Sequence, residues 1–300
     1  MLTSLKKVLG HARANRYAVG AFNCTEDVMA RAILETAQSL RAPVIVMPVG
    51  ADLESDGGNG WVYQVGLIKA AAAHHDIPVV LHLDHTSDLD LIQKAVDAGF
   101  SSVMIDGSSL PLEQNIELTR AAVAIARPRG VDVEAELGHV GGMDLADENC
   151  AQSVLTDPQQ VTRFVEQTGI DALAVSIGTA HGVYRTEPVL NIERLDQLEA
   201  VSPVPLVLHG GSGTPDDQIR EAVRHGICKM NVYTDERVAM FRGLQRAAKS
   251  IGRCDPPPSE MFGPIKEELA GLVAEKISLL RVTPNAASSH DRQPIGGPLI

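Results

Sequence analysis

Five residues of metal-binding type stand at the ends of five successive apolar runs: His85, Asp106, Glu136, His181 and His209. The runs are Pro78 to Leu83, Ser102 to Ile105, Val131 to Ala135, Ala172 to Ile177 and Pro205 to Leu208, each short, apolar and β-branched. A single histidine at a strand end is usually structural. Three at the same level, with two carboxylates between them, point instead to a metal centre built by His85, His181 and His209. Three imidazoles with one open position suit Zn2+, a Lewis acid able to polarise a substrate carbonyl. The densest cluster is His82-Leu-Asp-His85, in which His82 and Asp84 share one strand face and the chain turns outward at His85.

A second kind of chemistry is written further on. His209-Gly-Gly-Ser-Gly213 follows one apolar run and leads to a helix start at Pro215, and Asn231-Val-Tyr-Thr234 closes the next run before another helix. Glycines let a backbone approach an anion closely, and helix amino ends favour negative charge. Ser212 and Thr234 add hydroxyl donors. After the seventh and eighth strands of a barrel, such loops commonly bind phosphate.

The elements that must position these residues alternate along the whole chain. Tyr17–Asn23 reads as a strand, followed by a helix capped by Thr25 with Glu26 and Asp27 in its first turn. Val28, Met29, Ala32, Ile33, Ala37 and Leu40 give that helix one apolar face. Pro43–Val49 is a second strand, followed by a glycine-rich loop from Asp56 to Gly60 and a helix to about His75. The five runs above supply strands three to seven. Helices fall near Asp88–Ala98, Pro111–Arg127, Pro158–Thr168, Ile192–Ala200 and Pro215–His225. Cys228–Tyr233 is an eighth strand, and Asp235–Ser250 a helix. Eight βα units predict an α/β fold of the closed (β/α)8 TIM barrel class, whose parallel strands bring their carboxyl ends to one face. The competing open doubly wound sheet lacks its Gly-x-Gly-x-x-Gly after the first strand.

Two stretches stand apart. Gly141–Thr156 is a long polar loop of the kind that forms active-site lids. After a final helix over Glu260–Leu280, the tail rich in Pro, Gly and Ser is expected to be disordered, leaving one barrel domain over residues 1–282 and a tail over 283–300.

Composition narrows the partners. A net charge of −12 argues against nucleic acid and anionic membranes, which need a basic face. No apolar stretch reaches the ~20 residues of a membrane span, and Met1 to Lys7 lacks the apolar core of a secretory signal. Cys24, Cys150, Cys228 and Cys254 are scattered without Cys-x-x-Cys spacing and read as small buried hydrophobes in a reducing, cytoplasmic setting.

Taken together, His82-Leu-Asp-His85, Ser102-Val-Met-Ile-Asp-Gly-Ser108, Val133-Glu-Ala-Glu-Leu-Gly138 with Gly141-Gly142, Gly178-Thr-Ala-His-Gly182 and Val207-Leu-His-Gly-Gly-Ser-Gly213 resemble the class II, zinc-dependent ketose-bisphosphate aldolases, the family of the fructose- and tagatose-bisphosphate enzymes. The resemblance runs from about Ser4 to Leu280 in unbroken motif order. It implies reversible aldol cleavage of a ketose 1,6-bisphosphate to dihydroxyacetone phosphate and an aldehyde, glyceraldehyde 3-phosphate. By that similarity His85, His181 and His209 hold the catalytic Zn2+, and Asp106 and Glu136 mark a second metal position. Asp84 exchanges the C4 hydroxyl proton. Gly182, Gly210, Gly211, Ser212, Asn231 and Thr234 hold the dihydroxyacetone phosphate end, with Asn23 grouped among the substrate-binding residues. A second divalent metal and a monovalent cation are further candidate occupants, and a homodimer or homotetramer is implied.

This chain also departs from the family pattern. Met143-Asp144 stands where the family carries the lid glutamate that moves a proton at carbon, which makes Asp144 the candidate, with a shorter reach. Val49 replaces the Ser or Thr usual near the end of strand two, Tyr233 replaces a small or polar residue, and the Gly-Ser-x-Gly-Lys-Ala ending is missing. These changes bear on the second phosphate and the sugar stereochemistry, so a non-standard ketose phosphate stays open. Other open readings are a Schiff-base aldolase using Lys229, a hydrolase using a zinc-bound hydroxide, and a catalytically retired barrel that binds a sugar phosphate.

Overall fold

The computed structural model describes residues 2–142, 153–182, 184 and 186–281. Eight strands form a closed barrel in sequence order: β1 (Val19–Asn23), β2 (Val44–Met47), β3 (Val79–Leu83), β4 (Ser102–Ile105), β5 (Asp132–Leu137), β6 (Ala172–Val175), β7 (Leu206–Leu208) and β8 (Ile227–Val232). Every neighbouring pair is parallel, and β8 returns to β1 with Val19 opposite Lys229 and Ala21 opposite Asn231. The strands are buried almost throughout because helices cover one side and the barrel interior the other, which is why most of them read as apolar runs, with polar residues at a few positions, most of these in β3, β5 and β8.

Eleven α-helices are present among the described residues. They are α1 (Leu5–Asn15), α2 (Asp27–Ser39), α3 (Gly50–Gly58), α4 (Gly60–Ala72), α5 (Leu89–Ala98), α6 (Leu112–Ala126), α7 (Pro158–Thr168), α8 (Ile192–Val201), α9 (Asp216–Arg224), α10 (Thr234–Ser250) and α11 (Pro258–Leu280). Among these, α1 has no counterpart in the sequence reading. Its Leu5, Val8, Leu9 and Ala12 join Val19, Ala21, Val80, Met104, Ala174 and Val207 in one buried cluster. The Lys6 backbone N–H donates to Asp132, at the start of β5, and its ammonium pairs with Asp171 just before β6. Contacts to strand beginnings place α1 at the amino-terminal mouth, where it plugs the barrel opposite the site face. The outer core, by contrast, comes from the inward faces of the surrounding helices.

Several local expectations change. The α2 cap is Glu26, not Thr25, whose hydroxyl donates to the Met29 sulfur instead. The stretch from Asp56 to Gly60 is not a loop. Its first part completes α3 and its last residue opens α4, with the break at Asn59. Val49 caps α3 rather than ending β2. Cys24 and Cys228 are buried as expected, whereas Cys254 is exposed, and Cys150 lies outside the described residues. The tail over 283–300 and residues 143–152 of the long loop also lie outside them. No described helix is long and apolar enough to cross a membrane.

Candidate metal centre

The carboxyl ends of β3 to β7 deliver the five expected residues to one place. His85 follows β3, Asp106 follows β4, Glu136 lies in β5, His181 follows β6 and His209 follows β7. Potential ligand atoms of His85, His181 and His209 lie within 4.8 Å of one another, and so do those of His85, Asp106 and Glu136. The three imidazoles stand nearly perpendicular, with ring centres 4.5 to 5.9 Å apart. A register shift on the β7–β8 ladder at Leu206/Val207 falls just before His209, a position where irregular pairing re-aims a strand end.

The hydrogen bonds show how this donor set suits a divalent cation. His85 Nδ1 is bonded to Asp106 Oδ2 at 2.9 Å, and His209 Nε2 to Glu134 Oε1 at 2.9 Å. With those nitrogens donating to carboxylates, His85 Nε2 and His209 Nδ1 present lone pairs to each other at 2.6 Å. Two lone pairs at that distance require a cation or a proton between them. The buried Glu136 Oε2 has no hydrogen-bond partner, while its Oε1 accepts from the Val140 N–H. A carboxylate oxygen left bare beside three imidazoles fits a metal ligand.

Charge and burial act on these groups in opposite directions. Burial lowers the pKa of His85, but the Asp106 hydrogen bond and the charges of Asp84, Glu136 and Asp106 outweigh it and hold it at about 9. Burial and the His85 charge push His209 well below its usual range and His181 to about 4. Burial, then the Asp106 charge, raises Glu136 to about 7. Asp106 is held low against its own burial by His85 and by the Ser108 N–H, which bonds its Oδ1 at 2.9 Å. One proton-bearing imidazole among acidic and neutral neighbours is the state that a cation at this spot would replace.

Asp84 sits beside the cluster. Its carboxylate accepts from Asn23 Nδ2 at 2.9 Å and from Asn231 Nδ2 at 3.2 Å, so β1 and β8 clamp the residue that follows β3. Burial opposes its ionisation, but His85, His209, Lys229 and the Asn23 bond hold it down at about 2. Asn23 is itself fixed by Glu236, whose Oε2 accepts its backbone N–H at 2.9 Å.

The phosphate-type loops meet around the same mouth. Gly210 has φ +66°, and a β-carbon there would collide with the Ala180 carbonyl, so the loop after β7 lies directly on the loop carrying His181 and Gly182. Tyr184 bridges them, its hydroxyl accepting from the Ala180 N–H and donating to the Gly210 carbonyl. Gly211 is packed against Met230 and Asn231. Ser212 Oγ accepts the N–H groups of Tyr233 and Asp235, which fastens this loop to the amino end of α10, where Thr234 is the first residue. Asp144 lies outside the described residues.

Sequence reasoning overlooked Glu134, Tyr184 and Glu236, and weighed Lys229 only as a Schiff-base lysine, not as the partner of Glu134. Two of these carried a signal. Glu134 and Lys229 each stand two residues before a polar site residue on their strand, Glu136 and Asn231, and alternation puts both members of a pair on the inner face. Tyr184 and Glu236 carried none, since Tyr184 joins two loops, and Glu236 joins α10 to β1, only in the closed barrel.

Comparison with known proteins agrees with this geometry. The family model described as fructose-bisphosphate aldolase class-II matches residues 3–284. A fructose-bisphosphate aldolase of Staphylococcus epidermidis is 40% identical over 281 residues, covering 92% of this chain and 96% of its own. A 6-phospho-5-dehydro-2-deoxy-D-gluconate aldolase of Halalkalibacterium halodurans is 44% identical over 234 residues, covering 78% of this chain and 81% of its own. Among solved structures, the YdjI aldolase from Escherichia coli K12 superposes with a TM-score of 0.82 at 32% identity, covering 94% of this chain and 98% of that one. Aldolases are carbon–carbon lyases that act on sugar phosphates, and the family depends on zinc in general. The chain belongs to the class II fructose-bisphosphate aldolase family.

Proposed function

We propose that His85, His181 and His209 hold a catalytic Zn2+ and that the enzyme cleaves a ketose 1,6-bisphosphate, fructose or tagatose, to dihydroxyacetone phosphate and glyceraldehyde 3-phosphate. The observation that carries this reading is the pair of imidazole nitrogens, His85 Nε2 and His209 Nδ1, 2.6 Å apart, backed by carboxylates and flanked by a bare Glu136 oxygen. A bound divalent cation supplies Lewis-acid polarisation of substrate oxygen. Asp106 and Glu136, with His85, offer a second metal position.

The chain's own residues supply the proton transfers and the grip on substrate. Asp84 is ionised across the working pH range and takes the C4 hydroxyl proton as the C3–C4 bond breaks, returning it in the condensation direction. Asn23 and Asn231 fix its carboxylate from two sides, and the unpartnered Oδ1 of Asn231 is an acceptor for a substrate hydroxyl. Ser212 Oγ accepts two backbone N–H groups, which leaves its O–H to donate to phosphate at the amino end of α10 beside Thr234. Gly182, Gly210 and Gly211 are assigned to the phosphate end, with Gly210 and Gly211 letting their loop pack against Ala180 and against Met230 and Asn231. Asp144 is assigned the proton transfer at carbon 3.

A cleavage screen over fructose-, tagatose- and deoxy-ketose phosphates tests the substrate, with chelated, zinc-restored and untreated enzyme compared. Loss on chelation and recovery with Zn2+ is expected, and activity surviving exhaustive chelation defeats the metal reading. The Halalkalibacterium relative's name gives a second reading, a ketose phosphate ending in a carboxylate, which belongs in the same screen. Borohydride with substrate addresses the Schiff-base route. Lys229 is fully buried and held by Glu134 at 2.8 and 3.0 Å, two residues deeper than Asn231, so no covalent adduct is expected. The assignment extends to one barrel domain over 1–282, a cytoplasmic setting and a homodimer or homotetramer, the last checked by light scattering.

A further inference from the structure

Beneath the metal cluster lies a layer of polar residues that the reaction does not use. Glu134, Lys229, His82 and Ser102 are all fully buried in the barrel interior. Glu134 Oε1 bonds His209 Nε2 at 2.9 Å, and both carboxylate oxygens meet the Lys229 ammonium, at 3.0 and 2.8 Å. His82 Nδ1 is held by the Ser102 hydroxyl at 2.8 Å, with its Nε2 3.8 Å from Glu134 Oε2. A buried ion pair in a barrel core is costly, and replacing one with apolar residues is often neutral or stabilising. Its presence directly under one imidazole calls for a reason other than stability.

We propose that Glu134, clamped by Lys229, is a positioning residue that selects the tautomer and orientation of His209 and so commits Nδ1 to the metal. A carboxylate is an acceptor only, so Nε2 must carry the proton that it receives and Nδ1 is left with its lone pair toward His85 Nε2. An ammonium is a donor only, so Lys229 keeps Glu134 from turning away and satisfies the lone pairs that His209 does not. The inference rests on the metal-site reading given above, because it assigns the reason for the direction in which His209 faces.

The donor–acceptor logic yields a variant with an opposite prediction from its own rescue. In Glu134→Gln the amide oxygen is claimed by Lys229, which can only donate. The amide N–H then points at His209 Nε2 and forces that nitrogen to accept, moving the imidazole proton to Nδ1, where the metal should bind. In the double variant Glu134→Gln with Lys229→Met, the amide is free to turn its oxygen to His209, and the correct tautomer returns.

Zinc affinity, measured by competition with a chromophoric chelator, is expected to fall roughly 10- to 100-fold in Glu134→Gln, the usual scale for residues behind a metal-bound histidine. The double variant is expected to regain most of that loss. The absorption spectrum of the Co2+-loaded protein should shift in the single variant and return in the double. Unchanged zinc affinity in Glu134→Gln, or a double variant that binds no better than the single, overturns the proposal. A measurement on the unaltered protein stands beside these in case the single variant does not fold. In long-range 1H–15N spectra of the zinc-loaded chain, His209 should be protonated at Nε2 and coordinated through Nδ1, and coordination through Nε2 overturns the proposal. Wild-type protein that fails to bind zinc at all would instead remove the metal-site reading on which it rests.

Discussion

At the scale of single residues, the acid–base assignment and the buried acids make separate claims. Asp84→Asn keeps the shape and can still meet Asn23 and Asn231 but has no charge with which to take a proton. Its kcat is expected to fall by about 10²- to 10⁴-fold, the range for a lost general base, with zinc content unchanged by metal analysis. A variant within threefold of wild type would move the proton transfer elsewhere. Glu236 tests stability instead. Burial, above all, raises its pKa well above the ordinary range despite the Asn23 N–H that it accepts. The folded chain therefore keeps a proton that the unfolded chain releases above about pH 4.3. Stability from this group is complete below that pH and is lost as pH rises toward the folded-state pKa, at about 1.4 kcal/mol per pH unit while only the folded state is protonated. Glu236→Gln is expected to flatten that decline between pH 5 and 8 in urea unfolding, and an equal slope in both proteins would refute the assignment.

At the scale of elements, the loops after β5, β6 and β7 act as one packed unit around His181. Gly142 has φ +99°, and a β-carbon there would strike the backbone of His181, whose N–H donates to the Gly141 carbonyl at 2.8 Å. Gly142→Ala is expected to cost about 1–3 kcal/mol through the strained φ alone. It should also weaken zinc binding, because His181 must move, and calorimetric titration showing wild-type affinity would separate the two loops. The paired glycines at 141 and 142 were visible as a motif, but the contact that makes Gly142 necessary was not, since it joins strands five and six through their ends. The same limit explains α1. Its residues Leu5, Val8, Leu9 and Ala12 have ordinary amphipathic spacing, and only the closed barrel offers a mouth for them to fill. The eight strands were legible because both of their faces are buried, which leaves short runs rich in apolar residues on both faces. The split between α3 and α4 was hidden by the glycines at 57, 58 and 60, which ordinarily signal a turn and here stand where two helices meet.

For the whole molecule, the strand-end pattern did more than mark the site, because barrel closure turns sequence distance into contact. His85 and His209 are 124 residues apart yet have ring nitrogens 2.6 Å from each other. What the pattern left out was depth. Asp84, Glu136 and Asn231 were found at the mouth, while one inward position below Glu134 was passed over as a strand residue and Lys229 was weighed only as a Schiff-base lysine. A cation bound to ligands from β3, β6 and β7 ties together three parts of the barrel that the unfolded chain holds far apart, and so it binds the folded state alone. At free zinc a hundredfold above its dissociation constant, that linkage is worth about 2.7 kcal/mol. A stability change of 1 kcal/mol moves the Tm of a domain approaching this size by about 2–4 °C, so exhaustive chelation should lower Tm by about 5–10 °C, and added zinc should restore it. Glu134→Gln should show a smaller gap between its chelated and zinc-loaded forms than wild type does. Equal Tm for chelated and zinc-loaded wild-type protein would mean that these five strand ends converge without binding a metal, and the polar layer beneath them would then need another explanation.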